Sequence, residues 1–599
     1  MSTLTMPRPP ALKAAMQRDA TPQEIIAAAR SAPAPASGVF LLSGLSAVLM
    51  WAAFTPLDYG PLGWVCLIPL VLLARPARSP RWLYRVAWLG GLTFWLPALQ
   101  WMRLGDPTMY LAWFALAVYL AAYFPLFLAL TRVAVHRGRV PLMLAAPVVW
   151  VGLELLRGLL LTGFPWYILG HTQHGWIGLI QICDLTGAYG VSFVLALAAG
   201  CAAEIAPCAW LERFKLLPPG EVACTPEVSP RGQWVRVTVG LVVIGGVLGY
   251  GWERRRGVEF APGPRVALVQ GNFPATAHSD QPDWPLIFMR HRSLTARAVL
   301  QRPDWIVWPE SMFRWPVLET PGGATDAQLQ EAHPEINIQW LRDQHVHKTL
   351  ADMSQMADAA LVIGATTLEA DRDRLRVYNS AHLIRPDTGF AGRYDKLHRV
   401  IFGEYIPLID FFPWLQSLTP FRGDFGLNAG RSSVAFEYKG YRCAPVICYE
   451  DTLPNLVRQI VNSTAITREG TRRNVDFLVN LTNDGWFHGS SELDQHLITA
   501  AFRCVECRLP MVRAVNTGIS AFIDGDGAVR NVAADLTTGK SKQVEAVLVE
   551  TVPLDRRSSL YLAYGDWFAG ACLVCCSVLC GGGLASRWLP APGRVRSAL

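Results

Sequence analysis

Charge is scarce in this sequence. Asp, Glu, Lys and Arg make up 17% of its 599 residues, while apolar residues make up 51%, against roughly 25% charged in an ordinary soluble domain. That balance excludes a chain that meets only water. An excess of one sign is missing too: the net charge is +7, and the basic residues are dispersed or lie beside apolar segments, so there is no stripe to follow a nucleic-acid backbone. The first 36 residues lack the continuous apolar core of a cleaved signal peptide. Rich in Ala and Pro, with Lys13, Arg18 and Arg30, they read as a flexible cytoplasmic tail. A cysteine metal framework is also absent: Cys504-x-x-Cys507 has no second pair and no histidines at ligand spacing. Cys572, Cys575, Cys576 and Cys580 fall in one apolar stretch, where cysteine packs as a small hydrophobe.

The apolar residues crowd into 37–252 and 563–587. A helix needs roughly 20 apolar residues to cross the hydrocarbon core of a bilayer, and eight stretches are candidates: 38–55, 61–74, 83–101, 110–132, 140–161, 188–207, 235–252 and 566–587. The second is short. Arg75, Arg78, Arg81 and Arg85 surround the second connection, and Arg132, Arg137 and Arg139 follow the fourth stretch. The alternate connections 56–60 and 163–175 carry no Lys or Arg. The positive-inside bias then puts both termini, including a tail at 588–599, in the cytoplasm. Residues 253–562 fall outside it, although Arg254, Arg255 and Arg256 point the other way.

From about 265 the pattern changes to short apolar runs, Arg-Val-Ala-Leu-Val-Gln at 265, Trp-Ile-Val-Trp at 305, Ala-Leu-Val-Ile-Gly at 360 and Phe-Leu-Val-Asn at 477, which read as buried strands. Helix-compatible periodicity at 285–300 and 491–508 alternates with them. The polar stretch 318–348 reads as an insertion or mobile loop. Strands apolar throughout belong to a sheet covered on both faces, which fits a two-sheet sandwich flanked by helices or a doubly wound sheet.

Three polar residues close such runs: Glu310 in Asp-Trp-Ile-Val-Trp-Pro-Glu310-Ser, Lys396 in Arg-Tyr-Asp-Lys396-Leu-His, and Cys448 in Ala-Pro-Val-Ile-Cys448-Tyr-Glu-Asp. A thiol of ordinary pKa about 8.5 needs a base or a nearby cation to act as a nucleophile. Glu310 could take the proton and Lys396 could stabilise thiolate and oxyanion. Taken singly, each also reads as a packed Cys, a satisfied carboxylate or a surface Lys.

Together, Trp-Pro-Glu310-Ser, Lys396-Leu-His-x-x-x-Phe-Gly-Glu404-Tyr-Ile-Pro and Ile-Cys448-Tyr449-Glu450-Asp451 resemble the three ordered motifs of the nitrilase superfamily. The likeness continues through Asn480-Leu-Thr-Asn483-Asp484-Gly-Trp-Phe and Arg513-Ala-Val-Asn516-Thr517-Gly-Ile-Ser520. It implies an αββα sandwich over residues 260–556, with Glu310 as base, Lys396 as oxyanion stabiliser and Cys448 as nucleophile. Seven apolar stretches before that domain and one after it, with Glu154-Leu-Leu-Arg157 and Leu161-Thr-Gly163-Phe-Pro-Trp166, resemble the membrane-embedded branch of that superfamily, the apolipoprotein N-acyltransferases. In that family the positions of Glu404, Tyr449 and Glu450 also line the site.

The resemblance implies an enzyme of the bacterial inner membrane with its catalytic domain on the periplasmic side. Its acyl donor would be a phospholipid, and its acceptor the α-amine of the S-diacylglyceryl cysteine that begins a lipoprotein, with a thioester on Cys448 between them. This chemistry calls for no metal, nucleotide or organic cofactor. A membrane-tethered amidase and a noncatalytic peptide-binding scaffold are the rival readings. Glu154 and Arg157, at i,i+3 on one helix face, are expected either as an ion pair of the bundle or as a contact near the site. Trp284 is read as a core or surface residue, with a lid position as the alternative.

Overall fold

The computed structural model describes residue 21 and residues 37–588, apart from 77–81, 217–228, 276–283, 321–324, 335–336, 342, 373, 407–408, 410, 419–425 and 469–470. The expected terminal tails lie outside the described residues, except Thr21 and the last residue of the final helix, Trp588.

Two layers of chemistry divide the chain. In the first, apolar helices pack side by side around one hydrophobic cluster that includes Phe94, Phe127, Val149 and Leu195. Among the described residues, five helices are long and apolar enough to cross a membrane: Met109–His136, Leu142–Thr162, Ala188–Ile205, Pro230–Arg255 and Trp567–Leu584. The other three expected crossings are shorter. Gly38–Ala53 and Leu83–Ala98 have 16 residues each, roughly 24 Å at 1.5 Å per residue. The stretch at 61–74 is broken into a 3-10 turn, Gly60–Trp64, and a five-residue helix, Ile68–Leu72. A proline opens each piece, at a position where its missing N–H costs nothing but where it cannot continue a preceding helix.

The ends of these segments sort into two groups. Arg75 donates to the carbonyls of Ala203 and Ala206, and Arg132 and His136 bond the carbonyls of Pro76 and Ala74. These ends therefore lie together at one end of the bundle. At the other end, Thr55 Oγ1 donates to Ser491 O, and Trp101 meets Phe487 edge-on at 5.0 Å. The second layer is docked there.

That second layer is an αββα sandwich. One sheet runs in the order Ala546–Leu554, Ala261–Gln270, Trp305–Val307, Ala360–Ala370, Leu375–Arg385, Gly389–Asp395, with Phe313–Glu319 also paired to Ala360–Ala370. The other runs Val529–Val532, Ala521–Ile523, Met511–Val515, Phe477–Thr482, Tyr441–Ile447, Phe436–Tyr438. Side chains alternate along each strand: Val266 and Leu268 enter the core between the sheets, while Ala267 and Val269 pack beneath helices Trp284–Val299 and His345–Ala357. This double burial explains the unbroken apolar runs of the sequence and decides for the sandwich over a doubly wound sheet. Helix Glu492–Cys507 covers the second sheet, and its far face, with Ile498, Phe502 and Val505, joins the core of the helical layer.

The stretch 318–348 departs from the expected loop. It continues the edge strand, and Thr325 and Gln328 form a capping box that starts helix Asp326–Ala332. Leu329, Leu341 and Ala370 make a small core of their own.

The interface between layers explains the unexpected arginines. Arg508, fully buried, bonds Asp184, Gln181 and Asp526 at 2.6, 2.7 and 3.1 Å. Asp184 also accepts from Tyr250 at 2.7 Å and from Arg254 at 2.8 Å. Arg255 pairs with Asp526, and Arg256 lies over Trp252. Two of the three arginines thus pair with carboxylates of the docking surface.

Candidate active site

The strand Tyr441–Ile447 ends at Cys448, whose φ of +51° is left-handed. A non-glycine residue pays for that conformation and holds it only when its surroundings fix it. The chain then turns through a short 3-10 helix, Cys448–Thr452, leaving Cys448 partly exposed beside the strand end. Glu310 arrives the same way, just beyond strand Trp305–Val307. Gly364 of the neighbouring strand makes room for it, because a Cβ there would stand 2.6 Å from Glu310 Cα.

Lys396 follows strand Gly389–Asp395 and is buried. Its Nζ lies 2.8 Å from Glu404 Oε1 and 3.3 Å from Glu310 Oε1. Asn379 Nδ2 donates to both carboxylates, at 2.7 Å to Glu310 and 3.2 Å to Glu404. The backbone N–H of Asn483 donates to Glu310 Oε2 at 3.0 Å, and that of Val400 to Glu404 Oε2 at 2.8 Å. Burial alone would favour a neutral amine on Lys396, but Glu310 and Glu404 hold it charged, its pKa well above the usual lysine value. Burial pushes the Cys448 thiol well up, Glu310 adds to the push, and the Lys396 cation opposes both. Glu310, Lys396 and Cys448 therefore share one electrostatic site, with Glu404 at its edge. The thiol rests protonated there, so a nucleophilic step must begin by removing a proton.

The other two expected site residues sit differently. Glu450 is fully buried beneath the site. Its Oε1 accepts from the N–H groups of Leu397 and His398 at 2.6 and 3.0 Å; its Oε2 accepts from Ile447 N and Tyr394 OH, both at 2.8 Å. It ties the Lys396 loop to the Cys448 turn, so it braces the site rather than lining it. Burial raises its carboxyl to about 7 against these donors. Tyr449 reaches toward the helical layer: its OH donates to Gly163 O at 3.1 Å, and its ring stacks on His398. Trp284 opens helix Trp284–Val299 and meets Trp315 edge-on at 6.2 Å, 43% exposed.

Beneath Cys448 lies a buried charge network to which the sequence reading gave no roles. His496 stands between Asp451 of the Cys448 turn, at 2.9 Å, and Asp484 of the Asn483 turn, at 3.0 Å. Arg513 reaches the other oxygens of the same two carboxylates. Burial and Arg513 disfavour a charged imidazole, but Asp451 and Asp484 outweigh them and raise His496 to about 10. Asp451, Asp484 and Arg513 all fall within the quoted motifs.

Because the folded state holds the His496 proton more tightly than the unfolded chain, the stability it contributes is full below about pH 6.5 and is lost as pH rises through about 10. Thermal unfolding in detergent should drop by several degrees between pH 7 and pH 10, and His496→Asn should flatten that decline. An equal decline in both proteins would sink the assignment.

Glu154 and Arg157 do not pair directly. Glu154 Oε1 accepts from Trp150 Nε1 at 2.9 Å and Leu169 N at 2.7 Å, while Arg157 donates to Tyr167 O and lies over the Trp95 ring. They fix the 160–169 loop, whose Gly163 touches Tyr449.

A sandwich with Glu, Lys and Cys at its strand ends defines a carbon-nitrogen hydrolase domain, and residues 265–560 match the Carbon-nitrogen hydrolase family. Residues 46–201 match the Apolipoprotein N-acyltransferase N-terminal domain. The chain is 32% identical over 548 residues to an apolipoprotein N-acyltransferase of Geobacter metallireducens, covering 90% of this chain and 94% of that one. It is 31% identical over 571 residues to one of Rhodopirellula baltica, covering 90% and 95%. Among solved structures, a CN-hydrolase superfamily protein of Xanthomonas campestris is 18% identical and covers 52% of this chain and 97% of that one, with a TM-score of 0.31. The chain belongs to the apolipoprotein N-acyltransferase family. It is an acyltransferase of lipoprotein processing.

Proposed function

We propose that the chain takes an acyl group from a phospholipid and passes it, through a thioester on Cys448, to the α-amine of an S-diacylglyceryl cysteine at a lipoprotein N-terminus. The observation that carries this reading is the convergence of Glu310 and Lys396 on Cys448 beside the docked helical layer. In the first half-reaction Glu310 takes the thiol proton and the sulfur attacks the ester carbonyl. The ester C–O bond breaks, and Glu310 returns the proton to the departing lysophospholipid oxygen. Lys396 faces the oxyanion of each tetrahedral intermediate.

In the second half-reaction the neutral α-amine attacks the thioester. The C–S bond breaks, Glu310 takes the amine proton, and the sulfur regains a proton as the amide leaves. Glu404 and Asn379 keep Lys396 and Glu310 in place, Glu450 fixes both turns, and Tyr449 registers the turn on the helical layer. The helical layer suits lipid substrates, since each buried methylene contributes about 0.8 kcal/mol, and a site sheltered from water favours transfer over hydrolysis.

The alternation of segment ends supports eight crossings, with both termini cytoplasmic and the sandwich on the periplasmic side of a bacterial inner membrane. A reporter active only in the periplasm should work when fused near residue 540; activity only from a cytoplasmic reporter would reverse the orientation.

Incubation of the purified protein with phosphatidylethanolamine vesicles should add one acyl mass to the chain and release lysophospholipid. Folded protein that gains no mass would overturn the transferase reading. Release of ammonia from small amides, without any lipid reaction, would establish the amidase instead.

A further inference from the structure

On the strand rim that carries the site lies a cavity of about 360 Å³, lined by Asn272, Pro274, Gly485, His488, Thr517 and Gln543, at the lower end of the usual size range of ligand pockets. Its walls come from the same rim as Glu310 and Cys448. Asn272 follows strand Ala261–Gln270, Gly485 follows Phe477–Thr482, and Thr517 follows Met511–Val515.

A chain of hydrogen bonds joins the two sites. Gln543 N–H donates to Thr517 O, and Asn272 Nδ2 to Gln543 O, both at 2.8 Å. Asn272 N–H donates to Asn516 O at 2.9 Å, and Asn516 Nδ2 to Asn483 Oδ1 at 2.9 Å. Asn483 N–H then donates to Glu310.

Three features mark this cavity as built to hold something. Asn272, His488 and Gln543, three non-glycine residues at φ of +57°, +46° and +54°, converge on it, a concentration of strain found at ligand clamps. Thr517 is 5% exposed, and its hydroxyl has no hydrogen-bond partner, so a buried polar group awaits one. The lining has amide, hydroxyl and imidazole groups but no carboxylate, lysine or arginine. That chemistry suits a peptide backbone, which offers neutral donors and acceptors, and it provides no Lys or Arg cation for a phosphate headgroup.

We infer that this cavity binds the polypeptide that follows the modified cysteine of the acceptor, and so distinguishes acceptor from donor. The inference rests on the proposed transferase reading. When the α-amine faces the thioester, the diacylglyceryl chains must stay in lipid while the polypeptide leaves from the cysteine carbonyl toward water. The uncharged cavity on the strand rim, open at His488 and Gln543, offers that exit.

The test separates the half-reactions in the full-length protein, using the double variant Thr517→Val, Gln543→Ala. With phosphatidylethanolamine vesicles, acyl-adduct formation on Cys448 should match wild type, which also reports correct folding. With an S-diacylglyceryl lipopeptide as acceptor, KM should rise about tenfold, as expected for two lost neutral hydrogen bonds. With S-diacylglyceryl cysteine amide, which has no following peptide, variant and wild type should react alike. An unchanged KM for the lipopeptide, an equal rise for the cysteine amide, or slowed adduct formation would each overturn the inference. Wild-type protein that forms no adduct would overturn the transferase reading and this inference with it.

Discussion

Cys448→Ala is expected to form no acyl adduct with phospholipid, and Glu310→Gln to form it about 10²–10⁴ times more slowly. The two losses have different origins. Alanine removes the atom that carries the acyl group, so no pH and no excess of donor restores the reaction. Glutamine leaves the thiol in place but removes the base. Burial, the largest cause that holds that thiol up, persists when the Glu310 charge is gone, so without a neighbouring base only hydroxide can ionise it. Adduct formation by Glu310→Gln should therefore climb about tenfold per pH unit above neutrality, a dependence the wild type should lack. Mass spectrometry of the intact chain at several pH values reads both outcomes. An adduct that survives Cys448→Ala would place the nucleophile elsewhere, and a pH-independent Glu310→Gln would remove Glu310 from the role of base.

The second large effect concerns the join between the layers. Arg508→Ala should lower unfolding stability by about 3–5 kcal/mol, the usual result of removing one partner of a buried charge pair. Arg508 donates to Asp184, Gln181, Asp526 and the carbonyl of Gly525 from one planar group. Arg508→Lys should recover little, because an ammonium presents a single point where the guanidinium presents a fork. Thermal unfolding of both variants in detergent measures this. A variant with wild-type stability would show that the apolar contacts of Ile498, Phe502 and Val505 hold the layers together unaided.

Sheets covered on both faces were legible in the unbroken apolar runs, but those runs fit a doubly wound sheet as well, and the sandwich followed from the resemblance of the three motifs. Glu310 and Cys448 stand out against Val, Ile and Trp, whereas Lys396 sits among polar residues and was marked by its motif. What the sequence hid was contact between distant words. The family resemblance implied that Glu450 lines the site, yet its four hydrogen bonds turn it inward. Arg254 and Arg255 stood in the sequence as charges beside an apolar stretch, because their carboxylate partners lie 70 and 271 residues away. The 318–348 stretch looked like a loop because it is polar, and its helix start was encoded only in Thr325 and Gln328. The cysteines at 504 and 507 lie on helix Glu492–Cys507 and pack in the core of the sandwich.

Asp184 also sets an order of events during synthesis. Its first partners, Tyr250 and Arg254, follow it by 66 and 70 residues, but Arg508 follows by 324. A ribosome therefore delivers the first seven apolar segments with this carboxylate held only by its own neighbours, and most of the sandwich must be made before the final clasp arrives. Such long-range closure is slow. The growing sandwich passes that interval beside the bundle without its central bond, and the nucleophile turn gains its support from the 160–169 loop only after docking.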